Sequence, residues 1–361
     1  MKILIIHPFG IGDVLFSLPL LETVRQAEPD AFIGYLCNRR TEQLVAIWPQ
    51  VDRHFVFEKD EFRAAWRSSK ISGIRHLMEM VRMIRAERFD VVMDLSLGWQ
   101  MGLACWMAGI PKRVGFDFRG RGRFLTHKLA LDGFQNKPVA EYYLDLILLL
   151  GFKKPTPIRY ELTLPSSVSS QTDKFLASHS VPAGERLVGL VPGGGASWGA
   201  SAVYKQWPPE KFAEAANALL ATEKVRVILF GDKQETGLCQ KVAEKMDRPP
   251  IVATQLSSLV LLAGILKRCD LVIGNDSGPM HLAAVVGTKT VSLFGPVDAA
   301  VYGPMPKNPD RHRVVAKTLA CRPCYQQFRF PPCPWDNACL KQLPVSDLLD
   351  ATRELMAGRS W

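Results

Sequence analysis

Residues 270–296 read DLVIGNDSGPMHLAAVVGTKTVSLFGP, and this stretch decides the fold. The apolar run Leu271-Val272-Ile273 ends at Gly274, and a polar turn, Asn275-Asp276-Ser277-Gly278-Pro279, follows. A helix of small residues from Met280 to Val286 is stopped by Gly287, and a second apolar run, Thr290 to Phe294, ends at Gly295-Pro296. Strand, loop, helix, strand is the βαβ unit of a parallel sheet. The loop lies at the carboxyl end of its strand, where open α/β sheets bind ligands. Ser277 and Gly278 lead straight into the helix, so free amides and the positive end of the helix dipole suit a phosphate. The same residues also read as an ordinary helix start with Ser277 as N-cap.

The chain around this stretch has 361 residues, 47% of them hydrophobic, which suits two domains rather than one core. No apolar run approaches the ~20 residues that cross a bilayer. The opening MKILIIHPFGIGD is broken by His7, Pro8 and Asp13 too early for a secretion signal, so the expectation is a cytoplasmic protein. Net charge is +10, from 45 basic and 35 acidic residues, with the excess spread over both halves. That balance favours anionic partners without choosing between nucleotide, phosphorylated glycolipid, membrane surface and nucleic acid.

Taken in order, Lys2 to Ile6 reads as a central parallel strand and His7 to Asp13 as a turn. Val14 to Ala27 follows as a helix that Pro19 can kink. Gly10 and Gly12 let the backbone turn tightly beside a ligand, but residue 15 is Leu, so GxGxxG is absent. Ala31 to Cys37 and Arg53 to Phe57 are the next strands. Arg63 to Arg88 is one long basic helix, Phe89 to Leu95 a strand, Trp99 to Ala108 a helix and Arg113 to Phe116 a short strand. From Phe116 to Lys128, Arg119, Arg121 and Arg123 stand among glycines. This stretch reads as a mobile cationic loop, either plainly solvated or a clamp for phosphate or carboxylate groups of an acidic acceptor. Glu141 to Leu150 is an apolar helix. The prolines and serines of residues 153–181 mark a linker near Pro165.

The second half opens with the strand Leu187 to Val191, then Pro192-Gly193-Gly194-Gly195. Lys205-Gln206-Trp207-Pro208-Pro209 introduces a helix from Glu210 to Ala221. Bare amides at Gly193 and Gly194 with a mobile Lys205 are the parts of a phosphate cradle, though no Walker Gly-Lys-Ser/Thr is present. Val225 to Phe230 is a strand, and Glu235 lies just beyond it. Glu235 reads equally as a ribose-binding acid or as a first-turn helix acid. Leu256 to Arg268 and Pro344 to Ala357 are helices.

Eight cysteines are present. Cys37, Cys105, Cys239 and Cys269 read as buried thiols. Cys321, Cys324, Cys333 and Cys339 follow C-x2-C-x8-C-x5-C. The first pair has zinc-knuckle spacing and the second does not. Reduced thiols in a proline-rich connector are favoured over structural zinc.

NDSGPMHLAAVVGTKTVSLFGP, together with GxGDxxxxxP at Gly10 to Pro19, closely resembles glycosyltransferase family 9, the lipopolysaccharide heptosyltransferases. The resemblance covers most of the chain. It implies a GT-B fold of class α/β, with two Rossmann-like parallel-sheet domains facing across a cleft. Residues 1–165 would bind acceptor, residues 166–342 the nucleotide sugar, and residues 343–361 would return to the first domain. The implied reaction is inverting transfer of a heptose from ADP-heptose to the lipopolysaccharide inner core, at the inner-membrane periphery, with lipid A–core as acceptor. By resemblance Asp13 is the general base and Lys205 a catalytic cation. Glu235 matches the ribose acid, Asp276 the sugar contact, and His281 the motif's histidine. Ser277, Gly278, Pro279 and Met280 form the diphosphate loop. The segment Gly193 to Lys205 is longer than a compact phosphate loop, so Ser197 and Ser201 are not matched. No metal or cofactor is required, the nucleotide sugar being substrate.

Two alternatives stay open: a GT-B enzyme acting on another nucleotide sugar, including a UDP-sugar epimerase, and a non-catalytic binder. Nucleic acid ranks last because the basic loop lacks interleaved aromatics. The oligomeric state is not readable.

Overall fold

A computed structural model describes residues 1–357. The chain divides into two compact units between Arg159 and Tyr160. The division precedes Pro165 because the Leu162 amide already donates to the Val285 carbonyl (2.9 Å), binding this segment to the second unit.

The first unit holds six strands: β1 (Lys2–Ile6), β2 (Phe32–Cys37), β3 (Arg53–Val56), β4 (Val91–Asp94), β5 (Lys112–Phe118) and β6 (His127–Leu131). All pair in parallel, in the order β3-β2-β1-β4-β5-β6. Central strands of such a sheet are covered on both faces, which is why β1 is an unbroken apolar run with Ile3 to Ile6 fully buried. Winding reverses between β1 and β4, the place where doubly wound sheets open a crevice at their carboxyl ends.

Three expectations for this unit are corrected. The helix from Val14 is two helices, Ile11–Leu15 and Leu18–Ala27. The Ser17 amide and hydroxyl both turn back to the Val14 carbonyl, and Pro19 then sits in the first turn of the second helix, where no amide is needed. The long basic helix is also two, Lys59–Ser68 and Lys70–Glu87, hinged at an extended Ser69 whose hydroxyl caps the Ile71 amide. The Arg-Gly loop is shorter than expected, since β5 runs to Phe118 and β6 begins at His127, which leaves Arg119, Arg121 and Arg123 in the turn between them. Asp117 closes the turn between them by accepting the Gly122 amide (2.8 Å) and pairing with Lys128 (2.7 Å).

The second unit repeats the plan with β7 (Arg186–Val191), β8 (Val225–Phe230), β9 (Ile251–Ala253), β10 (Leu271–Asn275), β11 (Lys289–Leu293) and β12 (His312–Val315). The order β12-β11-β10-β7-β8-β9 is the first sheet's order again, all parallel, and its reversal lies between β7 and β10. One core face gathers Leu190, Leu229 and Ile273 from the strands with Trp207, Phe212 and Leu219. The C-terminal helix, Val345–Met356, packs on this same unit, against β11, β12 and the helix Pro209–Thr222. Leu348 and Leu355 form its apolar stripe and are buried in the second core. Residues 358–361 lie outside the described residues.

Candidate active site

The reversal between β7 and β10 puts two loops side by side, Pro192–Gly195 after β7 and Asp276–Gly278 after β10. Asn275, fully buried at the end of β10, fastens them. Its amide nitrogen donates to the Pro192 carbonyl (2.7 Å), and its oxygen accepts the Trp207 amide (3.0 Å). Trp207 is itself buried, with its indole N–H on the Leu343 carbonyl (3.0 Å). Sequence reasoning counted Asn275 only as a turn residue. Its position between two predicted loops was the signal for its role.

Asp276 is the charged centre. One carboxylate oxygen lies 2.7 Å from the Lys205 ammonium and the other 3.4 Å from His281 Nε2, and all three residues are buried. Burial pushes the Asp276 carboxyl up, but Lys205 and His281 outweigh it and hold it below the ordinary carboxylate value. The Trp198 ring covers the Lys205 ammonium at 4.5 Å. Lys205 reaches the loops from the end of the turn Ala196–Lys205, and in this arrangement its partner is Asp276.

Ser277 stands at the head of the helix Gly278–Val285. It occupies the N-cap position, but its side chain makes no capping bond, and its hydroxyl is buried without a hydrogen-bond partner among the described residues. An unsatisfied buried hydroxyl costs about 1–3 kcal/mol. A ligand oxygen would relieve that cost. Pro279 has no amide proton, and the Met280 amide turns back to the Ser277 carbonyl (3.1 Å), so the expected Met280 donor is spent internally. Gly278, first in the helix, has no intrahelical acceptor and is the amide suited to an anion.

Glu235 lies under the glycine loop. Burial raises its carboxyl, against hydrogen bonds from the Asp232 and Gly195 amides. It completes a capping box with Asp232, accepting the Asp232 amide at 3.1 Å. Glycine at 194 is required by space, since an added Cβ would meet the Ala202 carbonyl oxygen at 2.2 Å, and one at 193 would fall 2.0 Å from Glu235 Oε1 and make that carboxylate move. Gly193, Gly194, Lys205, Glu235, Asp276, Ser277, Gly278, Pro279, Met280 and His281 therefore belong to one cluster of loops at this switch point.

In the first unit, Gly10 is the N-cap of Ile11–Leu15. Asp13 is half-buried in the first turn, where the helix dipole favours a carboxylate. His7, just after β1, is buried with its Nε2 on the Tyr143 hydroxyl (3.1 Å), and burial lowers its pKa to about 3. Asp94, at the end of β4 and beside Ile6, is raised to about 6 by burial, against bonds from Ser96. Arg119, Arg121 and Arg123 are exposed. Arg119 and Arg121 stack on Phe118 (4.9 and 5.4 Å) and Arg123 on Trp99 (4.6 Å).

Cys321, Cys324, Cys333 and Cys339 line one pocket with Leu319, Phe330 and Trp335, as free thiols. Burial raises Cys324 and Cys339, the latter to about 11. Among the described residues no group of three or more His, Cys, Asp or Glu is arranged to hold a metal ion. No described helix is long and apolar enough to cross a membrane.

Two consecutive six-stranded, all-parallel Rossmann-like sheets are the GT-B architecture. The family model for glycosyltransferase family 9 (heptosyltransferase) matches residues 77–330, and the chain belongs to that family. It is 26% identical over 309 residues to lipopolysaccharide heptosyltransferase 3 of Escherichia coli, covering 82% of this chain and 84% of that protein. A family 9 glycosyltransferase structure from Veillonella parvula superposes with a TM-score of 0.81 at 24% identity, covering 99% of this chain and 98% of the other. The E. coli ADP-heptose lps heptosyltransferase II structure gives 0.76 at 21% identity, with 99% and 98% covered.

Proposed function

We propose that the protein is an inverting heptosyltransferase that moves a heptose from ADP-heptose to the inner core of lipopolysaccharide. The observation that carries this reading is the buried Lys205–Asp276–His281 group beneath the Ser277–Gly278 helix start, whose unsatisfied hydroxyl and free amide suit a diphosphate. The named relatives supply the heptose and the lipopolysaccharide.

In this reaction an acceptor hydroxyl attacks the anomeric carbon, the Asp13 carboxylate takes its proton, and the bond from that carbon to the diphosphate oxygen breaks with both electrons leaving on ADP. The Gly278 amide, the Ser277 hydroxyl and Lys205 stabilise the departing charge. Glu235 accepts from the ribose, and Asp276 with His281 orients the donor. Arg119, Arg121 and Arg123 attract the phosphorylated acceptor at the membrane periphery.

The test is Asp13→Asn with ADP-heptose and a lipid A–core acceptor. The expected result is a kcat lower by about 10²–10⁴ with donor affinity kept. Unchanged turnover removes Asp13 as base. Binding of UDP- or GDP-sugars in preference to ADP-heptose replaces the donor assignment.

A further inference from the structure

The helical hinge at Ser69 in the first unit carries an apolar band open to solvent. Ile71 is 80% exposed, Ile74 51% and Trp66 46%. Ile71 and Ile74 are three residues apart and share one side of their helix. Trp66 comes from the other helix and lies against Gly73, where a Cβ would fall 1.9 Å from its ring, so glycine is what lets the indole reach across the hinge. Phe62 stacks behind Trp66 (centroids 6.0 Å, planes 25° apart), and Phe57 lies behind Phe62 (5.7 Å). The band is therefore fixed by packing, and its outer residues remain uncovered.

The rim of this band is basic. Arg63, Arg67, Lys70 and Arg75 are all exposed around the hinge. Arg67 and Lys70 have no carboxylate partner among the described residues, whereas Arg63 pairs with Asp60 and Arg75 with Glu79. Lys59 at the start of the first helix extends the rim toward the arginine turn, being lowered by burial and the nearby charge of Arg63, raised by Asp60 and lowered again by Arg121.

We infer that the hinge Trp66–Arg75 is a docking surface for an anionic lipid bilayer, with Trp66, Ile71 and Ile74 entering the headgroup boundary and Arg67 and Lys70 resting on lipid phosphates. An aromatic and aliphatic face flanked by unpaired cations is the pattern that binds such interfaces. A second copy of the chain is disfavoured as occupant, since it would bring the same positive rim against this one. The inference deepens the glycolipid reading by naming the face that meets the membrane, and rests on that reading only for its purpose.

The experiment is flotation of the full chain with vesicles of phosphatidylethanolamine and phosphatidylglycerol, against phosphatidylcholine alone, with no sugar present. Wild type should float with the anionic vesicles and be released by salt. Ile71→Glu/Ile74→Glu should cut partitioning about tenfold or more, and Arg67→Glu/Lys70→Glu should do so only at low salt. Both variants should keep the wild-type melting temperature, since these side chains are exposed. Absence of flotation, flotation unaffected by the Ile pair, or a wild-type dimer that the Ile pair dissociates would overturn the inference. A failed heptose assay would not bear on flotation, and flotation does not bear on the donor, so the two proposals fail separately.

Discussion

A Cβ on residue 193 would fall 2.0 Å from Glu235 Oε1, so the loop after β7 closes over this carboxylate only because Gly193 has no side chain. Gly193→Ala should displace Glu235 from the Asp232 and Gly195 amides. The expected cost is about 1–3 kcal/mol of stability. ADP affinity should fall about tenfold or more, roughly 1.4 kcal/mol, by titration calorimetry. Wild-type ADP affinity in Gly193→Ala would separate Glu235 from nucleotide binding.

Lys205 and Asp276 are a buried pair, so removing one member strands the other. Lys205→Met should cost about 3–5 kcal/mol in denaturant unfolding and abolish transfer. Because the Asp276 pKa is depressed on folding, its contribution is fully present above the ordinary carboxylate value and is lost as pH falls through the lower folded value. Asp276→Asn should therefore flatten the acid limb of the stability profile below about pH 4.

His7 and Asp94 have opposite pH slopes. Asp94 is raised on folding from 3.8 to about 6, so it costs stability as pH climbs through that window. His7 is lowered from 6.5 to about 3, so it costs stability as pH falls through its own. Between them the wild type should be nearly flat from pH 4 to 6. Asp94→Asn, whose amide oxygen can still accept the Ser96 amide, should gain on the order of 2 kcal/mol at pH 7 relative to pH 4 and leave a profile that rises with pH. His7→Gln should leave a falling one. Thermal melts across that range decide both signs.

Asn275→Leu should orphan the Pro192 carbonyl and the Trp207 amide, at about 1–3 kcal/mol each. The loss should appear in donor affinity as well as in the melting temperature, since both loops hang from this side chain. A stability loss with unaltered ADP binding would show that the loops hold their shape without it.

The central strands were legible because burial on both faces leaves no room for polar residues, as in Ile3 to Ile6 or Leu271 to Ile273. The strands β6, β9 and β12 were not. They are edge strands, bonded on one side only, and in β6 His127, Lys128 and Ala130 are exposed and only Leu131 is buried. The motif held Asp276, Ser277 and His281 together, and the family resemblance added Lys205. What sequence lacked was direction. Met280 spends its amide on Ser277, and Asn275 joins two loops 83 residues apart. These depend on where a side chain turns, and residue type alone does not fix that. The breaks at Ser17 and Ser69 were hidden because apolar spacing runs on across each gap.

Neither six-stranded sheet borrows a strand from the other half of the chain, and the last helix stays with the half that precedes it. The protein is therefore written as two consecutive cassettes joined once, near Arg159. Chimaeras exchanging the later cassette between relatives would keep every ladder hydrogen bond intact, so either half can change its sequence, in evolution or at the bench, without re-pairing the strands of the other.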